Sequence, residues 1–340
     1  MSQFPETGTF PPLKFIPAYQ ERIWGGTQMS EVLKRDVPAG KDPIGESWEL
    51  VDREGEVSIL ANGPMAGATL HELVQSYGSA LLGSKAPDTR RFPLLVKLID
   101  AGDRLSLQVH PDENACREIG NGAEPKTEMW YIIAARKDAK ILAGLQGRAT
   151  RQQLVAQMSS PAVEELLQVY TSQPGDAYFI TSGTLHAIGG GNLILEIQQN
   201  SDTTYRVSDW GRVDANGKSR ELHVDVGIKS INFMNRTSPR VAGVSGVTTH
   251  NRKYDVVTSC PFFTVNDLRL VSMWNDDTAN GGSFHLISAV NGPVIVGKSG
   301  VEARSVRLEA GESCLVPACF GKYEVTPVNP GETTVIKTTL

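Results

Sequence analysis

Short runs of alternating or wholly apolar residues, each closed by glycine, proline or aspartate, dominate this 340-residue chain. Residues 45–50 alternate, 93–99 form a mostly apolar run interrupted by Lys97, and 105–110 alternate again. Similar runs follow at 129–133, 139–144, 177–180 and 193–198. A second series occupies 262–270, 282–290, 294–296, 301–308 and 313–317. A period of two predicts strands, and turn residues at close intervals predict that neighbouring strands connect through tight turns. Helical spacing is confined to 28–34, 69–77, 150–158 and 161–167. Thr69 is the expected N-cap of the second of these, and Glu72 three residues later completes a capping box. The opening, with Pro5, Pro11, Pro12 and Pro17, is expected to be extended. The expected fold class is therefore mainly β, a sandwich or jelly roll with a few short helices, and not a parallel α/β sheet.

Residues 236–252 mix small, polar and apolar positions without a period, which makes them the candidate linker. They divide the chain into 1–235 and 253–340. A glycine-acidic turn feeding a strand occurs at 173–180 and again at 308–317, a weak internal repeat of one barrel type.

Charge removes some classes of partner. With 33 basic and 38 acidic residues the formal charge is -5, and no Lys/Arg run interleaves with aromatics, which argues against nucleic acid. No apolar run reaches the length of a membrane span, and the first residues lack the pattern of a signal peptide. The four cysteines, Cys116, Cys260, Cys314 and Cys319, form no CxxC pair and read as reduced thiols. A cytoplasmic protein is expected. A phosphorylated small molecule stays compatible, because a few local cations suffice to bind it.

Candidate chemistry concentrates at 105–131. Gln108 and His110 lie two apart on a predicted strand and so share a face, and Lys126 and Glu128 repeat that spacing before an apolar run. His186 follows a glycine turn on a later strand. Nitrogen and oxygen ligands without thiolate suit Zn²⁺, with Fe²⁺, Mn²⁺ or Co²⁺ also chemically possible. His285 in the second series has no matching Glu128 or His186, so no metal site is expected there. Residues 292–299 fit the expression GxxxxGK[ST], but their middle positions are proline and β-branched residues, which predict a hairpin instead of a phosphate loop.

Several stretches carry a family resemblance: FPLLVK at 92–97, LSLQVHPD at 105–112, KTEMWY at 126–131, SGTLHAI at 182–188, and QQNSDTTYR at 198–206 followed by Asp209 and Trp210. In this order, over about 14–235, the chain resembles the type I mannose-6-phosphate isomerases in their short bacterial form. The resemblance implies two cupin-type jelly rolls, the first holding one Zn²⁺ per chain through Gln108, His110, Glu128 and His186. It implies a role in proton transfer or substrate binding for Lys126, whose pKa a nearby metal and burial would lower. It implies that Arg206 stabilises an anionic enediol or holds substrate oxygens, and that Lys97 and Ser106 face the same cavity as candidates to bind phosphate or sugar. The expected activity is zinc-dependent interconversion of D-mannose 6-phosphate and D-fructose 6-phosphate, by a monomer whose partner is a small sugar phosphate. Two other readings compete: a non-catalytic sugar-binding or regulatory metal cupin, and a metal-dependent oxygenase, which would leave Lys126 and Arg206 without a task.

Overall fold

The structure is a computed structural model that describes residues 10–158, 160–213, 217–242, 244–248, 250–278, 281–298 and 300–340. Pro5 of the predicted extended opening and Ser299 of the phosphate-loop expression lie outside them. The chain divides into two compact units, one made of 1–18, 48–96 and 242–340 and the other of 19–47 and 97–241. This division differs from the contiguous one predicted from sequence, because 48–96 packs with the C-terminal residues. Long-range strand pairing accompanies it: Leu13 and Lys14 pair with Leu315 and Cys314, and Phe15 and Ile16 of the same strand pair with Leu60 and Ile59. No local pattern encodes that choice of partner.

The 19–47/97–241 unit carries a five-stranded sheet in the order Leu167–Thr171, Lys140–Leu145, His186–Ile188, Leu107–Val109, Tyr205–Ser208. Against it stands a second sheet that includes Ala177–Ile180, Glu128–Ala135 and Asn192–Gln199. Alternation along the strands sorts their side chains. Ile141 and Ala143 of the first sheet meet Trp130, Ile132, Tyr178 and Ile194 of the second in one buried cluster. Leu142 and Leu145 turn the other way and pack with Leu154 of the Arg151–Gln157 helix and Ile228 of the Val224–Ser230 helix. The five-stranded sheet is thus buried on both faces, which holds its short central strands rigidly.

The other unit has an eight-stranded and a four-stranded sheet around a separate core that includes Leu268, Ile287, Val296 and Val325. Its helix Leu70–Leu82 begins with the predicted capping box, both Thr69 and Glu72 bonds being present, and runs beyond the predicted end through a kink at Gly78 (φ 44°). The first predicted helix is shorter than expected, covering only Gln28–Glu31. Residues 236–252, expected as a linker, instead contain strands: Arg240–Val241 pairs with Ala177 and Tyr178, and Val244–Thr248 pairs with Asn251–Asp255. Edge strands are held by backbone bonds and need no side-chain period, so the aperiodic composition misled. The strand Val294–Gly297 pairs with Ser305–Leu308, as the hairpin reading of the phosphate-loop expression required.

His285 sits buried in this second unit with Nδ1 2.7 Å from the Tyr323 hydroxyl. Burial, reinforced by Lys337 and opposed by Asp276, depresses its pKa to about 4. Folded His285 therefore stays neutral while an unfolded histidine protonates below about 6.5. Protons bind the unfolded chain preferentially between those values, so stability is full above pH 6.5 and falls toward pH 4, by at most ~3 kcal/mol from this group. Chemical unfolding of wild type and His285→Gln across that range should show a shallower pH decline in the variant. Identical slopes would refute the assignment.

Candidate metal centre and active site

The site grows from strand register. His186 pairs directly with Gln108, and Gln108 on its other side with Arg206, so three neighbouring strands place these side chains in one row on one face. The strand itself covers only Leu107–Val109, shorter than predicted, and His110 lies just past its end. From the facing sheet Glu128 opens the strand Glu128–Ala135, paired with Ile180 on one side and Gln198 on the other. Local alternation sets each side chain's direction. Pairing within the five-stranded sheet already joins residues as distant as Gln108 and His186, 78 positions apart, and the facing sheet adds Glu128.

The convergence is tight. Glu128 Oε2 lies 3.4 Å from His110 Nε2, Glu128 Oε1 lies 3.3 Å from His186 Nε2, and Gln108 Nε2 lies 3.3 Å from the same imidazole nitrogen. One ligand atom from each of His110, Glu128 and His186 fits within 4.8 Å of the others, and all three residues are buried. Each imidazole is oriented from behind: His110 Nδ1 donates to the Thr203 carbonyl and His186 Nδ1 to the Thr184 carbonyl, both at 2.8 Å. That fixes the tautomer and leaves each Nε2 lone pair aimed at the centre. Burial lowers both histidines, His186 to about 4, so at neutral pH no proton blocks those lone pairs. His110 Nε2 is buried without a hydrogen bond of good geometry, as expected of an atom placed to ligate. Gln108 turns its nitrogen inward and its oxygen toward Ser106 Oγ at 3.4 Å. A half-turn of the isosteric amide would present the oxygen instead. The donor set fits a cation of the zinc type.

Lys126 Nζ lies 2.9 Å from Glu128 Oε2. Burial alone would lower its pKa, as expected from sequence, but the carboxylates of Glu128 and Glu196 outweigh that effect and raise it. Glu128 is the larger of the two influences, and Glu196 adds to it from the strand Asn192–Gln199. Lys97 is buried, with Nζ 3.6 Å from Glu196 Oε2. Glu196 also accepts a 3.0 Å bond from Trp130 Nε1, and burial raises its pKa against the pull of Lys126 and Lys97.

A cavity of about 290 Å³ opens over this centre, with Lys97, Ser106, Gln108, Lys126 and Arg206 on its wall. Two larger cavities, about 680 and 510 Å³, lie in the other unit. Among the described residues the His/Glu/His cluster belongs to the smaller one's neighbourhood alone, so size does not identify the site. Glu196 and Arg220 also line the cavity and were missed by the sequence reading. An acidic residue in the middle of the apolar run 193–197 was a readable signal for Glu196; nothing local marked Arg220.

With the geometry in place, comparison with known proteins becomes decisive. The model of the type I phosphomannose isomerase catalytic domain matches residues 13–127. The mannose-6-phosphate isomerase ManA of Bacillus subtilis is 43% identical over 66% of this chain and 69% of its own length. The chain belongs to the type I phosphomannose isomerases. The Streptococcus mutans mannose-6-phosphate isomerase is 36% identical over 75% of this chain and 77% of that protein. The crystal structure of the Bacillus subtilis mannose 6-phosphate isomerase superposes with a TM-score of 0.85 at 30% identity, covering 97% of this chain and all of the other. Within this family the predominantly β architecture and the isomerase class are established, as the sequence resemblance implied. No helix among the described residues is long and apolar enough to cross a membrane.

Proposed function

We propose that this chain is a zinc-dependent aldose-ketose isomerase interconverting D-mannose 6-phosphate and D-fructose 6-phosphate through an enediol. The observation that carries the reading is the buried His110, Glu128 and His186 cluster next to half-buried Gln108, which shares a cavity wall with Lys126 and Glu196. When bound there, the metal polarises sugar oxygens as a Lewis acid. The mannose-6-phosphate isomerases of Bacillus subtilis and Streptococcus mutans, to which the chain is similar, support the substrate.

Isomerisation moves a proton between C2 and C1, which requires a group that takes it and groups that tolerate the negative charge on oxygen. Lys126 and Glu196 are adjacent titratable side chains on the wall, and Trp130 and Lys97 hold Glu196 in place. Lys126, kept charged by two carboxylates, suits donating a proton or a hydrogen bond to a sugar oxygen. Arg206, in register with Gln108, presents a permanently charged planar donor to the enediolate. Ser106 and Lys97 remain the candidates for sugar or phosphate oxygens. Five cationic side chains, Arg22, Lys97, Lys126, Arg206 and Arg220, line the cavity against three acidic ones, Glu46, Glu196 and Asp202. That excess complements an anionic sugar phosphate better than a neutral sugar.

A coupled assay for fructose 6-phosphate formation, before and after chelation, tests the proposal. Activity should vanish with the metal and return with Zn²⁺. Saturable sugar-phosphate binding without any turnover would instead favour the non-catalytic cupin.

A further inference from the structure

The isomerase reading leaves one elaborate piece of the site-bearing unit without a task. After the strand Tyr205–Ser208 the chain turns sharply, with Trp210 in the left-handed region (φ 60°) and Gly211 following at φ 76°. A bulky residue rarely adopts this backbone, and where it does the surroundings over-determine it, most often near functional sites. Here three contacts impose it. Trp210 Nε1 donates to the Leu105 carbonyl at 2.7 Å, the Arg104 guanidinium stacks 4.1 Å from the indole centroid, and Arg212 reaches the Asp103 carboxylate at 3.2 Å.

The turn returns Arg212 to the residue before it. Asp209, 5% exposed, accepts from Arg212 Nη2 at 2.7 Å through Oδ1 and from Arg220 Nε at 2.8 Å through Oδ2, and Arg220 Nη2 also reaches Oδ1. Arg220 is thereby gripped by both oxygens of one buried carboxylate. It forms part of the cavity wall together with Arg206, whose own Nη1 is tied to the Glu221 carbonyl at 2.9 Å. Three guanidinium groups drawn together would repel one another and swing into solvent. A carboxylate shared between two of them offsets that repulsion and fixes a planar fork in place.

We propose that Asp209 is a positioning residue that clamps Arg220, with Arg212 as the brace, so that Arg220 meets the anionic end of the substrate. The inference rests on the sugar-phosphate reading of the cavity and adds two residues to it. Asp209 touches no substrate; its effect passes through Arg220.

The test uses the full-length, metal-loaded protein as wild type, Asp209→Asn, Arg220→Gln and the double variant. Steady-state kinetics with mannose 6-phosphate is paired with calorimetric titration of fructose 6-phosphate. Each single variant should raise KM and Kd by about ten- to a hundredfold, with kcat changed by less than about threefold. The double variant should bind no worse than Arg220→Gln alone, because the two residues act as one device. Inhibition by inorganic phosphate should weaken in parallel, and Asp209→Glu should recover part of the affinity. Unchanged KM and Kd in Asp209→Asn, additive losses, or a kcat loss at constant KM would overturn the inference. Should Asp209→Asn lose its cooperative unfolding transition, Arg220→Gln decides alone, and unchanged affinity there is refuting. A wild type that binds fructose 6-phosphate without isomerising it would sink the isomerase reading, while the comparison of Kd values still judges Asp209. A wild type that binds no sugar phosphate overturns both.

Discussion

Glu128→Gln and His186→Ala are each expected to strip the protein of stoichiometric metal and to abolish isomerisation. Loss of a mere outer partner of a metal ligand costs about 10- to 100-fold in affinity, so removal of a ligand itself should exceed that. Glu128 is the sharper case. It is wholly buried, brings the negative charge of the donor set, and forms the ion pair with Lys126 at 2.9 Å. Gln keeps its volume but leaves a buried ammonium with one fewer counter-charge, which adds a stability cost to the loss of metal. His186→Ala removes a neutral donor and opens space beside Trp130, whose ring lies 5.3 Å from the imidazole centroid. Elemental analysis of dialysed protein, combined with the coupled assay, decides the matter. Full metal content and full activity in both variants would eliminate this centre as the cofactor site.

Lys126→Met should separate turnover from metal binding. Lys126 is not among the donors yet stands on the cavity wall, so the variant is expected to retain its metal while kcat falls by about 10²- to 10⁴-fold, the range for a lost proton-transfer group. Met preserves the aliphatic bulk and removes only the ammonium. The same change relieves Glu128 and Glu196 of their shared cation, so both carboxylates should protonate more readily, and the residual activity should lose rate at higher pH than the wild type does. A variant with normal kcat would reassign proton transfer to Glu196. A variant that also lost its metal would make Lys126 a support of the centre and not a participant in the chemistry.

The sequence showed local direction well and long-range partnership poorly. The two-residue spacings put Gln108 near His110 and Lys126 near Glu128, although His110 lies just past the strand Leu107–Val109 and Lys126 just before the strand Glu128–Ala135. The same logic predicted the capping box at Thr69. Glu196 escaped because cavity-facing position depends on which strands pair and in what register, with its partner Trp130 far away in sequence, whereas Arg220 lies outside any strand and is held by Asp209 across a turn that carries no period. The linker prediction failed on a different ground, since edge strands such as Val244–Thr248 bond through backbone and carry little pattern of their own.

The pairing of Leu13 and Lys14 with Leu315 and Cys314 has a consequence for biogenesis. The chain passes between its two units four times, at 18/19, 47/48, 96/97 and 241/242. During synthesis Phe15 and Ile16 soon meet their partners Leu60 and Ile59, but Leu13 and Lys14 must wait for almost the whole polypeptide before Leu315 and Cys314 leave the ribosome. All residues of the site-bearing unit, which ends at 241, have emerged well before that point. No single peptide-bond cleavage releases either unit as one continuous fragment, so this enzyme cannot be dissected into a catalytic half and a C-terminal half by cutting at the apparent linker.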